Sequence, residues 1–152
     1  MKLSIAHLCI YTKDLDATRR FYCDGLGMKK VFNFTLNGEL FGFYLEMSKG
    51  NYIEVFRAGT FDSANNGAMR HLCLETDNIQ NARTRLNNAG IATTDIKKGC
   101  DNTWQFWFKD PNGIDIELHE YTADSSQLTG QDCEVDWQVD AEQLSVHSAA
   151  DV

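Results

Sequence analysis

The chain has 152 residues, 43% of them hydrophobic, and a formal net charge of −8. That suits one compact domain or two small fused modules. There is no basic footprint of the kind nucleic acids require, and no apolar run nears the ~20 residues of a membrane span. The acidity is uneven: residues 1–122 carry 14 basic against 15 acidic side chains, and residues 123–152 carry seven acids with no Lys or Arg. The chain therefore reads as a nearly neutral body, 1–122, followed by an acidic, largely irregular tail, 123–152, in which Val135, Trp137 and Val139 can dock. No secretory signal pattern precedes the first strand-like segment, and the five cysteines form an odd set. Free thiols and a cytoplasmic location are expected.

In chain order, residues 4–11 alternate as a strand. Asp14 can cap a helix running to about Leu26, with Gly25 and Gly27 as stop signals. A strand over Val31 to Leu36 meets Asn37-Gly38, a hairpin turn. Strands at 41–47 and 52–57 follow, joined through Lys49-Gly50-Asn51. After a polar linker at about 58–69, residues 70–76 read as a strand. Asp77 or Asn78 caps a helix with Ile79, Ala82, Leu86 and Ala89 at helical spacing, ended by Gly90. Strands are expected at 92–97, 103–109 and 114–121. The turn Asp110-Pro111-Asn112-Gly113 precedes the last: Pro presets φ and Gly tolerates positive φ.

The order of elements repeats, and so do the residues. Ala6-His7-Leu8-Cys9-Ile10 returns as Arg70-His71-Leu72-Cys73-Leu74, and Ile53-Glu54-Val55-Phe56 as Ile116-Glu117-Leu118-His119. Phe43-Tyr44 matches Phe106-Trp107, and Gly27 matches Gly90. Two copies of one supersecondary unit follow. The fold class is α+β, with two tandem βαβββ modules, 3–58 and 68–122.

Strand side chains alternate faces. In each copy the aliphatic face packs on the helix, so His7, Glu54, His71 and Glu117 point away from it. Carboxylates in an aromatic-lined cavity are costly unless paired or bound to a metal. Two imidazoles and two carboxylates suit one divalent ion, with Ni, Zn, Co, Mn and Fe all admissible. Around this set, Phe43, Trp104, Phe106 and Trp107 are candidate pocket walls, although about half of any strand packs into the core. Gln105 can orient a polar substrate. His119, two residues beyond Glu117, is a candidate extra ligand, proton relay or rim residue, and Cys9 and Cys73 read as small buried fillers rather than redox-sensitive groups.

These residues resemble the vicinal oxygen chelate superfamily, and most of all glyoxalase I-like proteins. The likeness spans about residues 4–121. It is carried by His7, Asp14-Leu15, Arg20-Phe21-Tyr22, Leu26-Gly27-Met28, Ile53-Glu54, His71, Asp110-Pro111-Asn112-Gly113 and Ile116-Glu117. The resemblance implies that His7, Glu54, His71 and Glu117 hold the metal, and that a small substrate with vicinal oxygens is isomerised through a metal-stabilised enediolate. Glu117 is the first choice of base and Glu54 the second. It also implies that the two modules form an open, cupped sheet around the metal, and a homodimer, sometimes with a site shared between chains. Glutathione-using members carry Arg four residues after the first His and Asn four after the first Glu; Tyr11 and Ala58 stand there, so glutathione is not implied. An extradiol-type dioxygenase and a non-catalytic, ligand-sequestering protein of the bleomycin-resistance type are the alternatives.

Overall fold

The structure is a computed structural model and describes residues 5–59 and 70–134. Strand β1, His7–Thr12, ends where the Asp14 carboxylate accepts from the Ala17 amide at 2.9 Å and caps helix α1, Leu15–Arg19. A single α-helix to about Leu26 was expected. Instead the helix widens into a π-helical stretch, Arg20–Gly25, in which Leu26 N donates to Phe21 O at 3.0 Å. The reason is packing. The wider turn lets the neighbours Phe21 and Tyr22 both enter the core, where Tyr22 is fully enclosed. Gly25 faces Ile91 so closely that a Cβ there would stand 2.8 Å from its Cδ1.

Strands β2, Lys29–Leu36, and β3, Glu39–Ser48, form the expected hairpin. Asn37 and Gly38 both take positive φ, 53° and 84°, as a tight two-residue turn demands. Strand β4, Asn51–Arg57, completes a sheet of order β1-β4-β3-β2, with β1 parallel to β4.

The second module repeats this order with β5, Leu72–Glu75; α2, Ile79–Asn88; β6, Lys97–Lys98; β7, Trp104–Lys109; and β8, Asp115–Glu120. Asn78 is the cap, its side chain accepting from Asn81 N at 2.9 Å. The strand expected at 92–97 is reduced to a Thr93–Phe108 bridge and the two-residue β6. Arg83 claims this segment instead, donating to Thr93 Oγ1 and the Thr94 carbonyl. The sheet order is β5-β8-β7-β6, with β5 parallel to β8.

Both sheets bury the face turned to their helices. Phe43, Leu45, Ile53 and Val55 from one, and Phe106, Phe108, Ile116 and Leu118 from the other, share a core with Leu15, Phe21, Tyr22, Ile79 and Leu86. Each such side chain contributes about 1.5–3 kcal/mol on burial. Across the module junction, Phe21 and Phe108 rings lie 6.2 Å apart, and Asn112 Nδ2 donates to Thr18 Oγ1 at 3.3 Å.

Beyond β8 the chain is less irregular than expected. A short helix α3, Ser126–Thr129, docks on the turn before β7. Ser126 N donates to Asp101 O at 2.9 Å, and Thr122 Oγ1 donates to Asn102 O at 2.9 Å. Val135, Trp137 and Val139, and most of the linker, lie outside the described residues. No helix among the described residues is long and apolar enough to cross a membrane.

Candidate metal centre

In the first module, β1 and β4 run side by side with Cys9 opposite Glu54. His7, on the same face, brings its Nε2 within 3.9 Å of Glu54 Oε2. Tyr44 presents its ring edgewise to His7, centroids 5.9 Å apart. In the second module, Cys73 stands opposite Glu117, and His71 Nε2 lies 3.3 Å from Glu117 Oε2. Trp107 takes the position of Tyr44, its ring edgewise to His71 at 4.8 Å. The four expected ligands therefore form two matched His–Glu pairs, each steadied by an aromatic ring.

The pairs differ in surroundings. Glu117 is 7% exposed and held on both sides, its Oε1 lying 3.0 Å from His119 Nε2. Hydrogen bonding to Cys73 and to Glu117 raises the His119 pKa to about 10, against the opposing effect of burial. The equivalent of His119 beside Glu54 is Phe56, so Glu54 has no second imidazole at that position. Burial raises the Cys9 thiol, and a hydrogen bond with Glu54 and that carboxylate's charge add to it.

Two ligand atoms on one first-row ion, each about 2.0–2.2 Å from it, lie about 3–3.5 Å apart. The second pair matches that span and the first nearly does, and the donor set of neutral nitrogen and carboxylate oxygen suits such an ion. The residues fit a metal. Within one chain, however, the two pairs do not gather into one group. Among the described residues, the one set of three or more donors lying within 4.8 Å of one another is Cys73, Glu117 and His119.

The sheet face around Glu54 is a carpet of rings. Phe32 stacks on Tyr44 at 4.9 Å, Tyr44 on Tyr52 at 5.1 Å, and Phe34 tilts against Phe56 at 4.7 Å. Gly42 makes room for this layer: a Cβ there would stand 2.7 Å from the Phe56 ring and 2.2 Å from the Val55 carbonyl oxygen.

Two of the expected pocket walls are core residues. Phe43 and Phe106 are 1% and 0% exposed and face the helices. The rings that reach the site are their neighbours, Tyr44 and Trp107, because successive strand residues face opposite ways. Trp107, Gln105 and His119 share the Glu117 face, since Trp107 pairs with Glu117 and Gln105 with His119. Trp104 pairs with Glu120 and is 40% exposed, on the other side of the strand. Cys9 and Cys73 are exposed rather than buried fillers. Tyr44 escaped the sequence reading, although its match to Trp107 across the repeat marked it.

Paired βαβββ modules with a His and a Glu displayed at equivalent points of each sheet define an α+β fold of the vicinal oxygen chelate type. The chain belongs to the Glyoxalase/Bleomycin resistance protein/Dioxygenase superfamily, whose profile matches residues 4–118. Solved structures share the fold. A glyoxalase family protein from Enterococcus faecalis is 24% identical, with 77% of this chain and 97% of that one covered at a TM-score of 0.68. TnmS3, an antibiotic binding protein from Streptomyces sp. CB03234, is 20% identical over 80% of this chain and 99% of its own, at 0.66. A lactoylglutathione lyase from Agrobacterium tumefaciens is 23% identical over 77% and 92%, at 0.58. No curated protein matches the chain.

Proposed function

We propose that this protein is a metal-dependent lyase or isomerase of glyoxalase I type, acting on a small substrate with vicinal oxygens. The carrying observation is the pair of His–Glu couples, His7 with Glu54 and His71 with Glu117, at equivalent positions and at spacings that nearly match, in the first, and match, in the second, the span of one ion. Each couple presents an open imidazole, the His7 and His71 side chains being 43% and 38% exposed, with its carboxylate set deeper. That openness supports a homodimer in which the first couple of one copy meets the second couple of its partner. A divalent ion (Ni, Zn, Co, Mn or Fe) held by the four residues supplies Lewis acidity that polarises the substrate oxygens and acidifies the adjacent C–H. A cytoplasmic enzyme with a small-molecule substrate is part of the same reading.

The protein's own groups divide the remaining work. Glu117, hemmed in by His71 and His119, is suited to holding. Glu54 lacks the second imidazole and is the freer carboxylate, so it is favoured to take the proton from carbon and return it next door. Sequence alone ranks Glu117 first; the packing around it shifts the preference. Tyr44 and Trp107 fix the rings of the two histidines.

The test is metal content by mass spectrometry of protein purified without chelator, with the oligomer's mass measured alongside. One ion per two-couple site is expected, lost in His7→Ala and in Glu117→Ala. Metal-free wild-type protein that resists reconstitution with every first-row ion sinks the reading. A second reading, a ligand-sequestering protein, is favoured by the ring carpet of Phe32, Phe34, Tyr44 and Phe56, which offers flat apolar contact without chemistry. Tight binding of a flat antibiotic that survives Glu117→Ala supports that alternative.

A further inference from the structure

Two thiols far from each other in sequence meet beside the β6–β7 turn. Cys100 Sγ and Cys133 Sγ are 3.4 Å apart, across 33 positions. Neither is in a disulfide; Cys133 is exposed and Cys100 half-buried. The meeting is held by its surroundings. Beside Cys100, the Asp101 side chain accepts from Thr103 N and Thr103 Oγ1 at 3.2 and 2.7 Å, which shapes the turn. The same carboxylate receives Gln127 Nε2 at 2.6 Å, and the Asp101 carbonyl receives Ser126 N. The segment that carries Cys133 is thus docked on the turn that carries Cys100, and Gly130, in the left-handed region at φ 70°, closes α3 just before it.

We propose that Cys100 and Cys133 form a redox dithiol, a modification site whose co-reactant is a low-molecular-weight disulfide. The exposed Cys133 thiolate attacks one sulfur of the small disulfide RSSR, forming a mixed disulfide and releasing RS⁻. The Cys100 thiolate then attacks the Cys133 sulfur and expels the second RS⁻. Two protein S–H bonds and one small-molecule S–S bond are replaced by one protein S–S bond and two small thiols. The protein loses two electrons, RSSR gains them, and the protons end on the released thiols. The product staples the segment after β8 to the turn that leads into β7, at the end of the second sheet where Gln105 and His119 stand opposite each other.

The test treats the full chain with 2-hydroxyethyl disulfide and follows thiol count, intact mass and peptide maps. The expected result is a fall from five titratable thiols to three, a loss of about 2 Da with no retained adduct, and a single cross-linked peptide joining Cys100 to Cys133. The same cross-link is expected when Cys9, Cys23 and Cys73 are all replaced by Ser. In Cys100→Ser, confirmed folded by circular dichroism, the reaction is expected to stop at the mixed disulfide on Cys133. A wild-type protein that accumulates the adduct on Cys133 without closing the ring overturns the proposal. So does a cross-link that forms only between chains on a non-reducing gel.

Discussion

The Tyr22 hydroxyl donates to Asp110 Oδ2 at 3.1 Å, joining residues 88 positions apart. One lies in the π-helical stretch of the first module and the other opens the last turn of the second, so this hydrogen bond joins that from Asn112 to Thr18 in fastening the two copies together. Asp110 also accepts from the amides of Asn112 and Ile114, each at 2.8 Å, and is 4% exposed. Burial, and then the Asp110 charge, hold the Tyr22 phenol well above its ordinary pKa. Tyr22→Phe keeps the ring and removes the donor. Urea unfolding is expected to show a loss of about 1.5–3 kcal/mol, the range for a hydrogen bond to a charged group. A change within error of zero removes the fastening role.

The carboxylates of the two couples are expected to separate in their kinetics. Glu54→Gln should retain metal and lose turnover by about 10²–10⁴-fold, the usual span for a general base. Glu117→Gln should lose most of the metal itself. Metal analysis beside single-turnover rates distinguishes them, and equal metal loss in both variants contradicts the division of labour.

His119 gives a pH signature in the metal-free protein. Its folded pKa, about 10, lies above its ordinary 6.5. The stabilisation from binding that proton is therefore fully present below about 6.5 and is lost as pH rises towards 10. Denaturant unfolding of wild type and His119→Gln is expected to show a gap that narrows over that interval. A gap that stays constant, or widens with pH, contradicts the assignment. A nuclear magnetic resonance titration of the imidazole checks the same value directly.

Gly42 tests the ring carpet. A methyl group there meets the Val55 carbonyl oxygen at 2.2 Å, and backbone cannot yield as a side chain can. Gly42→Ala is expected to cost about 1–3 kcal/mol, as overpacking does, and to displace Phe56 from Phe34. Thermal unfolding and aromatic circular dichroism read the two effects. An unchanged melting temperature contradicts the packing described.

Much of the architecture is legible in the chain because the same local signals occur twice. His7 and His71, and Glu54 and Glu117, sit at matched places in matched strands. Asn37-Gly38 and Asn78 carry their own backbone instructions as hairpin turn and helix cap. Other features leave no local trace. The π-helical widening at Arg20–Gly25 answers to what Phe21 and Tyr22 must fill, a tertiary demand. Phe43 is buried and Tyr44 reaches His7 although they are neighbours, because one residue reverses the face of a strand. Whether the two His–Glu couples share one cavity is not written in either strand, since it depends on how whole modules are placed. The approach of Cys100 to Cys133 arises from the docking of α3, which no periodicity announces.

The exposure of His7 and His71 has a consequence for inheritance as much as for chemistry. On the shared-site reading, a chain damaged at His7 keeps a sound second half, and one damaged at Glu117 keeps a sound first half. Each is inert with its own kind. Mixed, they assemble one site wholly from undamaged halves, so two defective alleles can rescue each other in a way that two lesions in the same half never can.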